Sequence, residues 1–163
     1  QQIDSAIGES SATGQGFALL LLDLDRFRTI NEGLGYECGD AVLCEVGQRL
    51  QRALAVEDSV SHAGGDRFLI LARSARSPIA AAQLAERLLR ELREPVWLAA
   101  ILDVYVEASI GIALFDDDSR STTGLLRCVD AALFHAKQGG GNSYRVYSSE
   151  LVENARQKLV LDV

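Results

Sequence analysis

Three acidic residues, Asp23, Asp25 and Asp66, stand where this chain has the means to hold a metal ion against phosphates. Asp23 and Asp25 close the apolar run that begins at Phe17, and Asp66 follows Gly64 and Gly65 between two short stretches of strand character. Magnesium takes oxygen ligands in an octahedron and usually only one or two protein carboxylates, with water and phosphate oxygens completing the shell. Asp23 and Asp66 are the natural pair for that task. An acid at a strand end is also, in the ordinary case, a solvated loop residue or a cap, so the elements around these residues must carry part of the argument.

The run from Phe17 to Leu24 fits a strand buried on both faces with functional groups at its C-terminal end. A short helix is expected from Arg26 to Glu32, and a longer one opens at Gly39 and Asp40, with Val42, Leu43, Val46, Leu50 and Leu54 at helical spacing and Asp40 as its N-cap. Ser59 to Ala63 and Arg67 to Ala72 flank Gly64-Gly65-Asp66 as a β-hairpin, whose tight turn needs the positive φ angles that glycines supply. Pro78 to Glu94 reads as an amphipathic helix bounded by Pro78 and Pro95. Strands are expected at Val96 to Leu102, within Val104 to Phe115 and at Tyr144 to Tyr147, with a helix from Thr123 to Gln138 stopped by Gly139 to Gly141. Strands in neighbouring pairs, not in strict alternation with helices, imply an α+β fold with a central, mostly antiparallel sheet flanked by helices.

At 163 residues and 48% hydrophobic content the chain is sized for one domain with one sizeable core. The expected division is a lead-in helix or linker over 1–16, the domain over 17–148, and the start of a connecting helix over 149–163, where Leu151, Ala155, Leu159 and Val160 form an apolar stripe. A net charge of −7 opposes a general nucleic-acid or anionic-membrane surface. Cys38, Cys44 and Cys128 are odd in number and lack zinc-like spacing, which reads as reduced thiols in a cytoplasmic protein. The longest apolar run, Val96 to Leu102, is far short of the roughly 20 residues that span a bilayer, so no direct membrane contact is expected. A chain that begins at Gln1 without a signal peptide reads as an excised piece of a longer one.

Four strings in order, LLLLDLDRFRTINEGLGYECGD, AGGDRF, VEASIGIAL and ALFHAKQGGGNSY, are together similar to the GGDEF family of bacterial cyclic di-GMP signalling over about residues 17 to 148. That resemblance implies the palm fold of class III nucleotidyl cyclases. It also implies a reaction in which two domains, each holding one GTP, face each other, and each 3′-hydroxyl attacks the other nucleotide's α-phosphate to give cyclic di-GMP and pyrophosphate. By the same resemblance Asp23, the main-chain carbonyl of Leu24 and Asp66 match magnesium ligands. Asn31 and Asp40 match the pair that reads the guanine edge, a carboxylate being suited to accept from its N1 and N2 donors. Arg28 stands where the family commonly has Lys, Lys137 matches a basic residue that reaches the phosphates, and Gly64 and Gly65 open the signature turn. SIGIAL and ALFHAKQGGGNSY resemble GGDEF domains upstream of EAL phosphodiesterase domains.

The chain departs from the family pattern at several positions. Arg67 takes the fourth signature position, associated with catalysis, where the family has Glu. Unit charges 4 Å apart at an effective dielectric near 20 interact by about 4 kcal/mol, so reversing a sign there disfavours a second metal. Arg67 could instead grip a phosphate with its planar fork. Gly141 stands where a phosphate-binding Arg is usual, and His62 replaces an Arg before the signature, reading as a strand residue packed beside the turn. The product-inhibition motif Arg-x-x-Asp is Ala55-Val56-Glu57-Asp58 here, best described as a solvated acidic helix end. These departures point to an impaired regulatory copy that binds GTP, with magnesium, or serves as a dimerisation module beside sensor and EAL domains. An active diguanylate cyclase and a nucleotide-free scaffold remain the alternatives.

Overall fold

The structure, a computed structural model, describes residues 2–98, 102–115 and 117–147. The expected connecting helix beyond residue 148 lies outside them. In chain order the elements are α1 (Gln2–Thr13), β1 (Ala18–Asp25), α2 (Phe27–Leu34), α3 (Tyr36–Ala53), β2 (Ser59–His62), β3 (Arg67–Ala72), α4 (Pro78–Glu91), β4 (Val96–Leu98), β5 (Leu102–Val104), β6 (Glu107–Leu114), α5 (Thr122–Gln138) and β7 (Ser143–Val146). Five strands form one sheet in the order β2-β3-β1-β6-β7, antiparallel except for β6 with β7. Helices cover both faces, so the expected α+β architecture is the observed one.

β1 is the central strand, and its apolar run divides by the period of two that a pleated strand imposes. Ala18, Leu20, Leu22 and Leu24 pack with buried residues of α2, α3 and α4, whereas Phe17, Leu19 and Leu21 pack with those of α1 and α5. Full burial of one leucine is worth about 1.5–3 kcal/mol, so this division pins the register. The same alternation sends the side chains of Asp23 and Asp25 to the α5 side. α5 lies close there because Gly111 of β6 leaves room: a Cβ at that position would come within 2.4 Å of the Leu133 amide and of the Val129 carbonyl.

Two expectations about elements are corrected. The run Val96 to Leu102 is not one strand: β4 and β5 pair antiparallel with each other, Val96 opposite Val104 and Leu98 opposite Leu102, as a ribbon apart from the main sheet. Val104 therefore belongs to β5, and β6 starts at Glu107, where its pairing with β1 ends at Asp25. Periodicity has no means to find a reversal inside a run that is apolar throughout. α3 likewise starts at Tyr36, not at Asp40, because Gly35 with φ 91° turns the chain directly out of α2 and serves as N-cap. Asp40 thus sits one turn inside α3 with its carboxylate free of capping duty and exposed.

Candidate functional site

The hairpin turn meets the end of β1 at its backbone. Gly64 and Gly65 have φ of 94° and 57°, which carries the chain from β2 to β3, and the Ala63 amide donates to the Arg67 carbonyl at 2.8 Å. The Leu24 amide then donates to the Asp66 carbonyl at 3.1 Å, which fixes the turn against the strand end. His62 packs on Phe68, with ring centroids 5.2 Å apart, and its Nε2 lies 2.6 Å from the Gly65 carbonyl, as a residue beside the turn should.

Asp23 is 6% exposed, and its carboxyl pKa is raised, first by burial and then by the neighbouring Asp66 carboxylate, against the lowering pull of Lys137 and Arg67. Arg67 Nε donates to Asp23 Oδ2 at 3.2 Å, and the Lys137 ammonium lies 3.5 Å from Asp23 Oδ1. That Oδ1 is buried and accepts no hydrogen bond. Two carboxylates side by side, one with an orphaned oxygen, are what a divalent cation would relieve, so the residues present fit one magnesium ion. Among the described residues no three His, Cys, Asp or Glu side chains gather as a larger metal cluster.

Asp25 is used differently. Its Oδ1 accepts from Ser109 Oγ at 2.8 Å and from Lys137 Nζ at 3.2 Å, and its Oδ2 accepts from the Asn142 amide at 2.7 Å. With both oxygens engaged it anchors Lys137 and the glycine-rich stop instead of offering itself to a metal. Gly141 has φ 80°, and a Cβ there would lie 2.7 Å from Asp25 Oδ2. The local backbone thus leaves no ready place for a side chain at this position.

A cleft of about 450 Å³ opens beside this cluster, lined by Arg28, Asn31, Asp40, His62, Gly65 and Asp66 among others. Gly39 makes it possible for Asn31 to lie against α3, because a Cβ at 39 would come 1.8 Å from Asn31 Oδ1. Arg28 lines the cleft, but its Nε pairs with Glu32 at 3.3 Å on an open surface. A larger hollow of about 530 Å³ lies on the other side of α2, near Ile30, Leu92 and Tyr105. It contains none of Asn31, Asp40 and Asp66, so the candidate chemistry belongs to the smaller cleft.

Asp58 is corrected by the structure. Far from solvated, it is 5% exposed, its Oδ1 accepting from the Ser74 amide at 2.9 Å and its Oδ2 from the Ser74 hydroxyl at 2.6 Å. It staples the loop after α3 to the loop after β3. Two roles that matter to the site escaped sequence reasoning. Asp25 as an anchor depends on which face of β1 meets α5, and Asp130 lies 3.4 Å from Arg67 Nη1. The one available signal for Asp130 is its spacing of seven from Lys137, two turns along the same helix face.

A five-stranded sheet with β1 and the β2–β3 turn meeting at a pair of carboxylates is the palm arrangement of the nucleotidyl cyclases. The chain belongs to the GGDEF family: the model described as diguanylate cyclase, GGDEF domain, matches residues 1–143. It is 36% identical over 160 residues to the bifunctional diguanylate cyclase/cyclic di-GMP phosphodiesterase MucR of Pseudomonas aeruginosa, covering 98% of this chain and 23% of that protein. To the cyclic di-GMP phosphodiesterase PdeR of Escherichia coli it is 33% identical, covering 98% of this chain and 24% of PdeR. The crystal structure of the GGDEF domain of TpbB from Pseudomonas aeruginosa superposes with a TM-score of 0.87 at 29% identity, over 90% of this chain and 91% of the other. An EAL/GGDEF domain protein from M. capsulatus superposes with a TM-score of 0.77 at 33% identity, over 91% and 97%. The chain spans about a quarter of the length of MucR and of PdeR.

Proposed function

We propose that this GGDEF domain binds GTP with one magnesium ion, is impaired as a cyclase, and regulates a neighbouring output domain, with an EAL phosphodiesterase as the partner its relatives suggest. The observation that carries the reading is that one cleft holds Asn31, Asp40 and Asp66 while Arg67, where the family has an acid, sits on Asp23. Asn31 and Asp40 would read the guanine edge, and Asp23, the Leu24 carbonyl and Asp66 would hold the ion. Magnesium would supply charge neutralisation at the phosphates. Lys137, kept in place by Asp25, supplies one cation to the phosphates. Arg67 offers a second, reached by leaving its carboxylate partners. The family's general base chemistry lacks its carboxylate, and the family's second phosphate-binding Arg is replaced by Gly141.

The domain limits proposed are 17–148, preceded by a lead-in helix and followed by a connecting helix. Pairing of two copies through the GGDEF face and a cytoplasmic setting belong to the same proposal. Among the described residues no helix is long and apolar enough to cross a membrane.

Equilibrium titration with GTP and ATP, with magnesium and with chelator, tests the reading. GTP should bind more tightly than ATP, Asp40→Ala should remove the preference, and loss of one charged hydrogen bond of about 1.5–3 kcal/mol should weaken binding roughly tenfold to hundredfold. Equal affinity for the two nucleotides, or none for either, would leave the scaffold reading.

A further inference from the structure

Arg67 does not rest on Asp23 alone. Its Nε reaches Asp23 Oδ2 at 3.2 Å, and its Nη1 reaches Asp130 Oδ1 on α5 at 3.4 Å. The Asp23 side chain is 9% exposed and that of Asp130 59% exposed, so the guanidinium lies across the boundary between the buried cluster and solvent. Asp23 is also the carboxylate that a divalent cation would use, and its Oδ1 lacks a hydrogen bond. Arg67 and the cation therefore compete for one side chain. We propose that Asp130 is a positioning residue that draws the Arg67 guanidinium toward α5 and thereby leaves the Asp23 carboxylate open to a divalent cation. This inference rests on the proposed single-cation site.

The Arg67 guanidinium is shared between two carboxylates. With Asp130 absent, the planar fork of Arg67 is free to turn both of its donors onto Asp23, the strongest geometry open to an arginine and a carboxylate. A cation entering against that pair would also leave the displaced guanidinium unpaired beside it. With Asp130 present, Arg67 has a partner to move to, in a solvated position where moving costs little. A plain charge effect is the competing account: any acid near the site favours a cation, whatever Arg67 does.

A double-mutant cycle on the 163-residue chain separates the two accounts. Mn²⁺ alone is titrated by electron paramagnetic resonance into the wild type, Arg67→Ala, Asp130→Asn, the double variant, Asp130→Glu and Asp23→Asn, with thermal unfolding to verify that each is folded. The expected result is tighter binding for Arg67→Ala and binding weakened about two- to fivefold for Asp130→Asn, a change of about 0.4 to 1 kcal/mol. Asp130→Glu should restore most of the affinity, and Asp130→Asn should have no effect once Arg67 is Ala. An Asp130→Asn variant equal to the wild type, or one equally weakened with and without Arg67, overturns the inference and leaves the cation site standing. Absence of Mn²⁺ binding in wild type and Arg67→Ala, or binding indifferent to Asp23→Asn, overturns the cation site and this inference with it.

Discussion

The most exposed weakness of the site is a single buried carboxylate, Asp23, with one oxygen that accepts no hydrogen bond and an acidic neighbour. Its raised pKa has a definite consequence for stability. A carboxyl that holds its proton more tightly in the folded state loses stability as pH rises through the interval between its unfolded and folded values, and the loss persists above that interval. Asp23→Asn removes the ionisable group. In chelator at pH 7 the variant should melt above the wild type, and the difference should vanish below the ordinary aspartate range, where the wild-type carboxyl is neutral as well. Magnesium should raise the wild-type midpoint and leave the variant's unchanged. Superimposable pH profiles in thermal unfolding would mean that Lys137 and Arg67 already neutralise the charge. Asp23 and Asp66 were legible as candidates from their residue type and placement, and Asn31 and Asp40 from the resemblance of the strings that hold them. The anchoring role of Asp25 and the contact of Asp130 were not, because both follow from which strand face and which helix face meet across the fold.

Helices and strands position these side chains through a few close approaches, and those can be tested without touching the chemistry. Gly111→Ala would place a methyl 2.4 Å from the α5 backbone, against main-chain atoms that have no flexible end to yield. Overpacking of this kind costs about 1–3 kcal/mol or more, and α5 carries both Lys137 and Asp130. The variant should unfold at lower denaturant concentration and lose nucleotide affinity together, whereas unchanged affinity in a folded variant would show that α5 need not touch β6 so closely. Asp58→Ala removes both hydrogen bonds to Ser74 at a buried position and should cost about 1–3 kcal/mol in urea unfolding. Cyclic di-GMP should not bind measurably beside Asp58 in the wild type, since Ala55 offers no guanidinium and the Asp58 oxygens are already engaged. Calorimetry that found a tight complex there, lost in Asp58→Ala, would contradict this. The elements themselves were readable where apolar spacing is periodic, as in α4 and α5. They were misread where the pattern is silent: the uniformly apolar stretch hid the β4–β5 reversal, and Gly35 started α3 ahead of its first periodic residue.

Cyclic di-GMP synthesis belongs to two domains face to face, so the whole-molecule question is whether two copies of this chain make product. Each copy carries a net charge of −7, so encounter of two copies is opposed unless bound cations offset it. On the proposed reading Arg67 stands in place of the signature carboxylate and Gly141 in place of a phosphate-binding cation, at a position where a Cβ would meet Asp25. Loss of one group that stabilises developing charge costs about 10²- to 10³-fold in rate, and two such groups are missing here. Chromatography of an overnight incubation with GTP and magnesium should therefore show product at the level of a protein-free blank. Arg67→Glu returns one of the two groups and relieves the ion pair on Asp23, so a trace of product is expected from that variant at high protein concentration, rising with the square of concentration because each ring needs two domains. Gly141→Arg should restore nothing, since its Cβ meets the Asp25 carboxylate that holds Lys137. Steady, Asp66-dependent product from the unaltered chain would overturn the impaired-enzyme reading and establish that Arg67 is compatible with catalysis.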